Sequence, residues 1–149
     1  MTAARRPASL ALALFLAACS AGGGGSSGKE TVTAADTQSY SGIGPQETVH
    51  FTGTEPFWGG QAAGQTLTYQ TPDDQQGQRL TVERFAGRNG ISFSGDLDGK
   101  PFVLAVTPGK CSDGMSDRAY PFTVTLQVQG EQRQGCAWTD RQPATGARP

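Results

Sequence analysis

The residues that could do chemistry gather in two short stretches. The first, Gly53-Thr54-Glu55-Pro56-Phe57-Trp58-Gly59, sets a carboxylate beside two aromatic rings. Pro56 keeps Glu55 out of the helical region and makes a bend between two strands. Such a bend presents Glu55, Phe57 and Trp58 together, and aromatic residues with an adjacent charge are common interface anchors. The competing role is structural: Phe57 and Trp58 plug one end of a core while Glu55 pairs with a cation. The second stretch, Cys111-Ser112-Asp113-Gly114-Met115-Ser116-Asp117-Arg118-Ala119-Tyr120-Pro121, is long for a hairpin loop. Loops held on a rigid scaffold often carry function, which makes Asp113, Met115, Asp117 and Arg118 candidates for a recognition surface. Their competing role is local, because Ser112, Asp113, Ser116 and Asp117 can bond their own backbone. Arg118 and Glu55, the charged members of the two stretches, are expected to pair across one end of the domain.

For catalysis the inventory is thin. The single histidine, His50, falls mid-strand on a wet face, and no serine stands in a nucleophile-elbow context. Asp96 and Asp98 lie beside a turn and read as solvated, and no phosphate-cradling glycine loop leads into a helix. There is no CxxC pair, and His50 is far in sequence from Cys111 and Cys136. Two aspartates with hydroxyls fall short of an EF-hand loop in both spacing and ligand count. The expectation is no enzyme, no metal and no cofactor.

The elements that must position these stretches are short strands. Phe122, Val124, Leu126 and Val128 alternate with Thr123, Thr125, Gln127 and Gln129, the period-2 pattern of a strand with one buried face. Gly130 ends it. Val49 and Phe51, a weaker run from Phe57 to Ala62, Leu67 and Tyr69, Leu80 and Val82, then Ile91, Phe93 and Leu97, and finally Phe102, Leu104 and Val106 mark the others. Pro72-Asp73-Asp74, Asn89-Gly90 and Asp98-Gly99 supply turns. Phe85, out of phase with Leu80 and Val82, suggests a bulge or a twist near the strand's end. The fold class is therefore all-β, an antiparallel meander of seven to eight strands forming a small barrel or curved sheet. A two-sheet sandwich fits the pattern nearly as well.

The chain has three cysteines among 149 residues. Residues 1–18 read as a signal peptide: Arg5 and Arg6 precede the apolar run Leu10 to Ala18, which is too short to span a membrane. Leu16-Ala17-Ala18-Cys19 looks like the lipobox of bacterial lipoprotein signal peptides, with Cys19 as the lipidated residue. Cys111 and Cys136 then remain as an even pair in an oxidising compartment, and a disulfide is expected. Residues 19–46, rich in Gly, Ser, Thr and Ala, read as a flexible lipid-anchored linker with a reach of roughly 28 Å, the weaker alternative being that Tyr40 and Ile43 pack on the domain edge. Residues 47–138 form the β domain, and 139–149, with Pro143, Gly146 and Pro149, read as a disordered tail. The formal charge of −1 becomes −3 without Arg5 and Arg6, and nothing suggests a nucleic-acid partner.

GTEPFW at Gly53 to Trp58, CSDGMSDRAYPF at Cys111 to Phe122 and GCA at Gly135 to Ala137 resemble a family of small, largely uncharacterised bacterial envelope lipoproteins. The resemblance implies an all-β domain tethered in the envelope and is silent on activity. In setting and architecture it is also similar to MliC-type inhibitors of C-type lysozyme, although the inhibitory motif has no evident counterpart here. Ser20 after Cys19 resembles lipoproteins sorted to the outer membrane. The reading is a periplasm-facing, outer-membrane-anchored binding or envelope-maintenance module, with the membrane and a protein of the envelope as partners. The alternatives are an inhibitor of a cell-wall hydrolase and a carrier of a small apolar ligand.

Overall fold

In the computed structural model, residues 38–147 are described. Eight strands follow one another: β1 (Val49–Thr54), β2 (Phe57–Ala63), β3 (Thr66–Thr71), β4 (Asp74–Ala86), β5 (Ile91–Leu97), β6 (Lys100–Cys111), β7 (Tyr120–Val128) and β8 (Glu131–Thr139). Each pairs antiparallel with the next, and β8 returns to β1 with Val49 opposite Thr139 and Thr52 opposite Cys136. The meander is thus a closed barrel rather than a sandwich, which leaves no open sheet edge.

Alternation decides what lines the interior. On β7 every second residue from Tyr120 to Val128 is buried while its neighbours are only partly so. Phe51, Phe93, Phe102, Phe122, Leu67, Leu104 and Leu126 are among the fully buried side chains that fill the interior. Turn chemistry sets the register. Asp98 (φ 54°) and Gly99 (φ 76°) join β5 to β6, and Gln129 (φ 52°) and Gly130 (φ 87°) join β7 to β8. Two successive positive φ values match the twist of the flanking strands.

Topology gives the barrel two unlike ends. The hairpin tips β1–β2, β3–β4, β5–β6 and β7–β8 share one end. The other end receives the entering chain, the β6–β7 loop and the departing chain. At the hairpin end Tyr69 lies edge-on to Phe102, with ring centres 5.5 Å apart, and its hydroxyl accepts a 3.0 Å hydrogen bond from Arg133 Nη1. Burial pushes the Tyr69 phenol above its ordinary pKa, against the pull of Arg133.

Three expectations need correction. The β domain starts before residue 47: Ile43 is buried in the core, Tyr40 packs against it, and the Tyr40 N–H donates to Gly87 O at 2.7 Å. Residues 139–147 are fastened rather than frayed. Thr139 is fully buried, its N–H and hydroxyl bond Gln142, Gln142 Nε2 donates to Gly42 O at 2.9 Å, and Thr145 bridges to Ala119. These two segments supply the lid that eight short strands lack at this end. Phe85 marks no bulge either, since the β4–β5 register is unbroken from Val82 to Ala86. Arg84 takes the inward phase there because its guanidinium donates to Ile43 O at 2.8 Å and ties down the lid. The register shifts lie instead between Tyr69 and Thr71 and between Pro108 and Cys111. The signal peptide, Cys19 and the linker up to residue 37 fall outside the described residues.

Candidate functional site

The two stretches that carry the candidate residues meet where Gly53 and Thr54 line a cleft with Cys111, Ser112 and Asp113, and diverge from there. Glu55, Phe57 and Trp58 lie at the β1–β2 hairpin, whereas Met115, Asp117 and Arg118 belong to the β6–β7 loop, whose place in the meander is the opposite end. The ion pairs among the described residues do not join Arg118 to Glu55. The guanidinium of Arg118 instead lies over Tyr120 (5.4 Å) and Trp138 (5.8 Å), contacts that favour a cation electrostatically.

The β6–β7 loop is braced from within. The register shift after Pro108 brings Cys111 across β7 to Cys136 on β8, and the two are disulfide-bonded with Cα atoms 5.5 Å apart. Asp113 organises the turns that lead on to β7. Its Oδ1 accepts the N–H groups of Met115 (3.0 Å) and Ser116 (2.9 Å), and its Oδ2 accepts the hydroxyls of Ser116 (2.8 Å) and Tyr120 (3.0 Å). The Met115 N–H and then the Ser116 groups hold this carboxyl far below the usual carboxylate range. Burial, and then the neighbouring carboxylate, pushes the Tyr120 phenol up. Asp113 is therefore committed to shaping the loop, while Met115, at 65% exposure, and Asp117 face solvent. Among the described residues no three His, Cys, Asp or Glu side chains come together as a metal site would need.

Barrel closure adds residues that sequence reasoning missed. Because His50 registers with Trp138 across β1 and β8, their rings stack with centres 5.3 Å apart, and Asp140 Oδ1 lies 3.1 Å from His50 Nε2. Tyr120 also packs on Trp138, with ring centres 5.6 Å apart. These contacts link Asp140, His50, Trp138, Tyr120 and Arg118 in one cluster beside the loop. Residues 50 and 138 carry no local signal of proximity.

At the hairpin end Glu55 and Phe57 are exposed, Phe57 by 53%, and Trp58 is turned inward at 3% exposure. The Glu55–Pro56 peptide bond is cis. Trp58 packs on Phe51 and needs glycine beneath it: a Cβ at Gly53 would overlap the indole, and one at Gly135 would meet it at 2.9 Å. Its indole N–H is buried without a hydrogen-bond partner, which is unusual for tryptophan. Over this ring opens a cleft of about 310 Å³ between the β1–β2 and β3–β4 hairpins, lined by residues that include Phe57, Trp58, Gln70, Thr71, Pro72 and Gln75. Gln70 Nε2 donates to Gln75 O at 2.8 Å and fixes one wall. Pro72 escapes sequence reasoning because it reads as a turn residue, and Gln70 and Gln75 because they carry no local signal; the β2–β3 register (Gly59 opposite Gln70) brings this hairpin beside Phe57.

In comparisons with protein families, curated proteins and solved structures, nothing matches this chain.

Proposed function

We propose that the protein is a lipid-anchored envelope module that binds a partner through the hairpin end of its barrel, and that it is not an enzyme. One observation carries the reading. The chain enters through Tyr40 and Ile43 at the end opposite the Phe57–Trp58 cleft. A tether from acylated Cys19 would join the barrel at the lidded end, so the hairpin end with its cleft is the one that does not carry the attachment. The interior filled by Phe51, Phe93, Phe102 and Phe122 speaks against carriage of an apolar ligand in the lumen.

The test is photocrosslinking in cells that make the full chain, with the reactive residue at position 57, 75 or 85. Phe85 is 66% exposed at the opposite end, so it controls for simple exposure of an aromatic ring. Capture from positions 57 and 75 well above that from 85, together with an acyl mass on Cys19, is the expected outcome. Equal capture at all three positions, or an unacylated terminus, overturns the proposal. A second reading, inhibition of a cell-wall hydrolase, draws on the disulfide-braced loop that projects Met115. A lysozyme inhibition assay with a Met115→Ala control decides it.

A further inference from the structure

The cleft at the hairpin end is specific enough in its chemistry to name a ligand class, an inference that rests on the proposal that this end binds a partner. None of the residues lining it is ionisable. Its groups are an exposed phenyl face at Phe57, the buried indole of Trp58 beside Gly53, a proline ring, and the amides and hydroxyls of glutamine and threonine. Such a set offers apolar faces and neutral hydrogen-bond partners with no charge to match. Outside the lining, Glu55, Asp73 and Asp74 belong to the two hairpins that flank the cleft. Their carboxylates disfavour phosphate, sulfate or any other anionic ligand. At about 310 Å³ the cleft is at the small end of ligand sites, the size of a sugar unit rather than a folded peptide.

The geometry points to a neutral saccharide as the ligand of this cleft. A pyranose has one face of C–H groups and a rim of hydroxyls. The C–H face lies on the Phe57 ring, and the hydroxyls exchange hydrogen bonds with Gln75 and Thr71. The floor of the site is Trp58, whose unpartnered N–H lies against Gly53, itself a lining residue.

The chain has two tryptophans, Trp58 and Trp138, so ¹⁵N NMR of the full acylated chain in micelles shows two indole signals, assigned with W138F. The probes are chitotriose, maltotriose and an oligolysine peptide. At least one trisaccharide is expected to move the Trp58 signal saturably and leave Trp138 in place. Phe57→Ala should weaken binding about tenfold, as loss of an anchor ring does, while Phe57→Tyr keeps it. An unchanged dispersion of the amide spectrum confirms that F57A is folded. The inference falls if neither sugar moves Trp58, if both indoles move together, or if F57A binds as well as the parent. It also falls if only oligolysine binds and high salt abolishes the effect, since the cleft would then serve a basic polypeptide. Crosslinking from positions 57 and 75 is independent of these outcomes, so the binding proposal can survive the loss of the sugar.

Discussion

The Cys111–Cys136 bond gives the most quantitative prediction. Its two residues belong to β6 and β8, which already pair with β7 along nearly their whole length. The bond therefore adds little to the folded contacts and acts mainly by restricting the unfolded chain. For a sequence separation of 25 residues, the loop-entropy relation gives about 3.5 kcal/mol. A domain of this size has about 5–15 kcal/mol in all, so the doubly substituted C111A/C136A barrel should still fold but with much of its margin gone. The expected drop in Tm is roughly 15 °C, at about 4–5 °C per kcal/mol. Urea unfolding followed by tryptophan fluorescence measures both stability and slope, and the slope should not fall, because the unfolded chain becomes more open. A loss below about 1 kcal/mol would refute the chain-entropy argument. Complete unfolding would refute the claim that strand pairing suffices to hold β6 and β8 in place.

Three further outcomes rest on particular contacts. Gly135→Ala should cost about 2–3 kcal/mol, because the added Cβ would overlap Thr52 O and lie 2.9 Å from the Trp58 ring; a thermal melt within about 2 °C of the parent would contradict it. A stop codon after Arg141 removes the Gln142 bonds to Thr139 and Gly42 and the Thr145 bridge, and should lower stability by about 2 kcal/mol in urea, where a loose tail would cost nothing. Asp113 has a folded-state pKa below its ordinary value, so its contribution is complete above the unfolded pKa of about 4 and fades as the pH falls below it. The stability gap between the parent and Asp113→Asn should therefore be wide at neutral pH and narrow near about pH 2.5; a gap independent of pH would show that the loop contacts do not depend on the charge.

Much of the fold was legible in the strands themselves. The alternation from Phe122 to Val128 states which face of β7 is buried, and Asp98-Gly99 and Gly130 state where the chain reverses. The pairing of Cys111 with Cys136 was also legible, from cysteine parity. The Arg118–Glu55 pairing failed for a topological reason: both belong to dense loops, but one loop comes after an odd-numbered strand and the other after an even-numbered one, so an antiparallel meander sends them to opposite ends. Phe85 misled because a bulge is the usual reason for a change of phase, whereas here an inward arginine takes the apolar residue's place.

The sequence by itself determined local quantities: the faces of the strands, the sites of reversal, and the cysteine pair. Such features depend on backbone preference and a two-residue period, which operate over a few residues. Only the tertiary structure decided that β8 closes on β1, that His50 meets Trp138 and Asp140 across about ninety residues of chain, and that residues 40–43 and 139–145 seal one end. A period of two tells a side chain to face inward or outward; it does not say which strand will be its neighbour when the ring closes, nor at which end of the barrel it will lie.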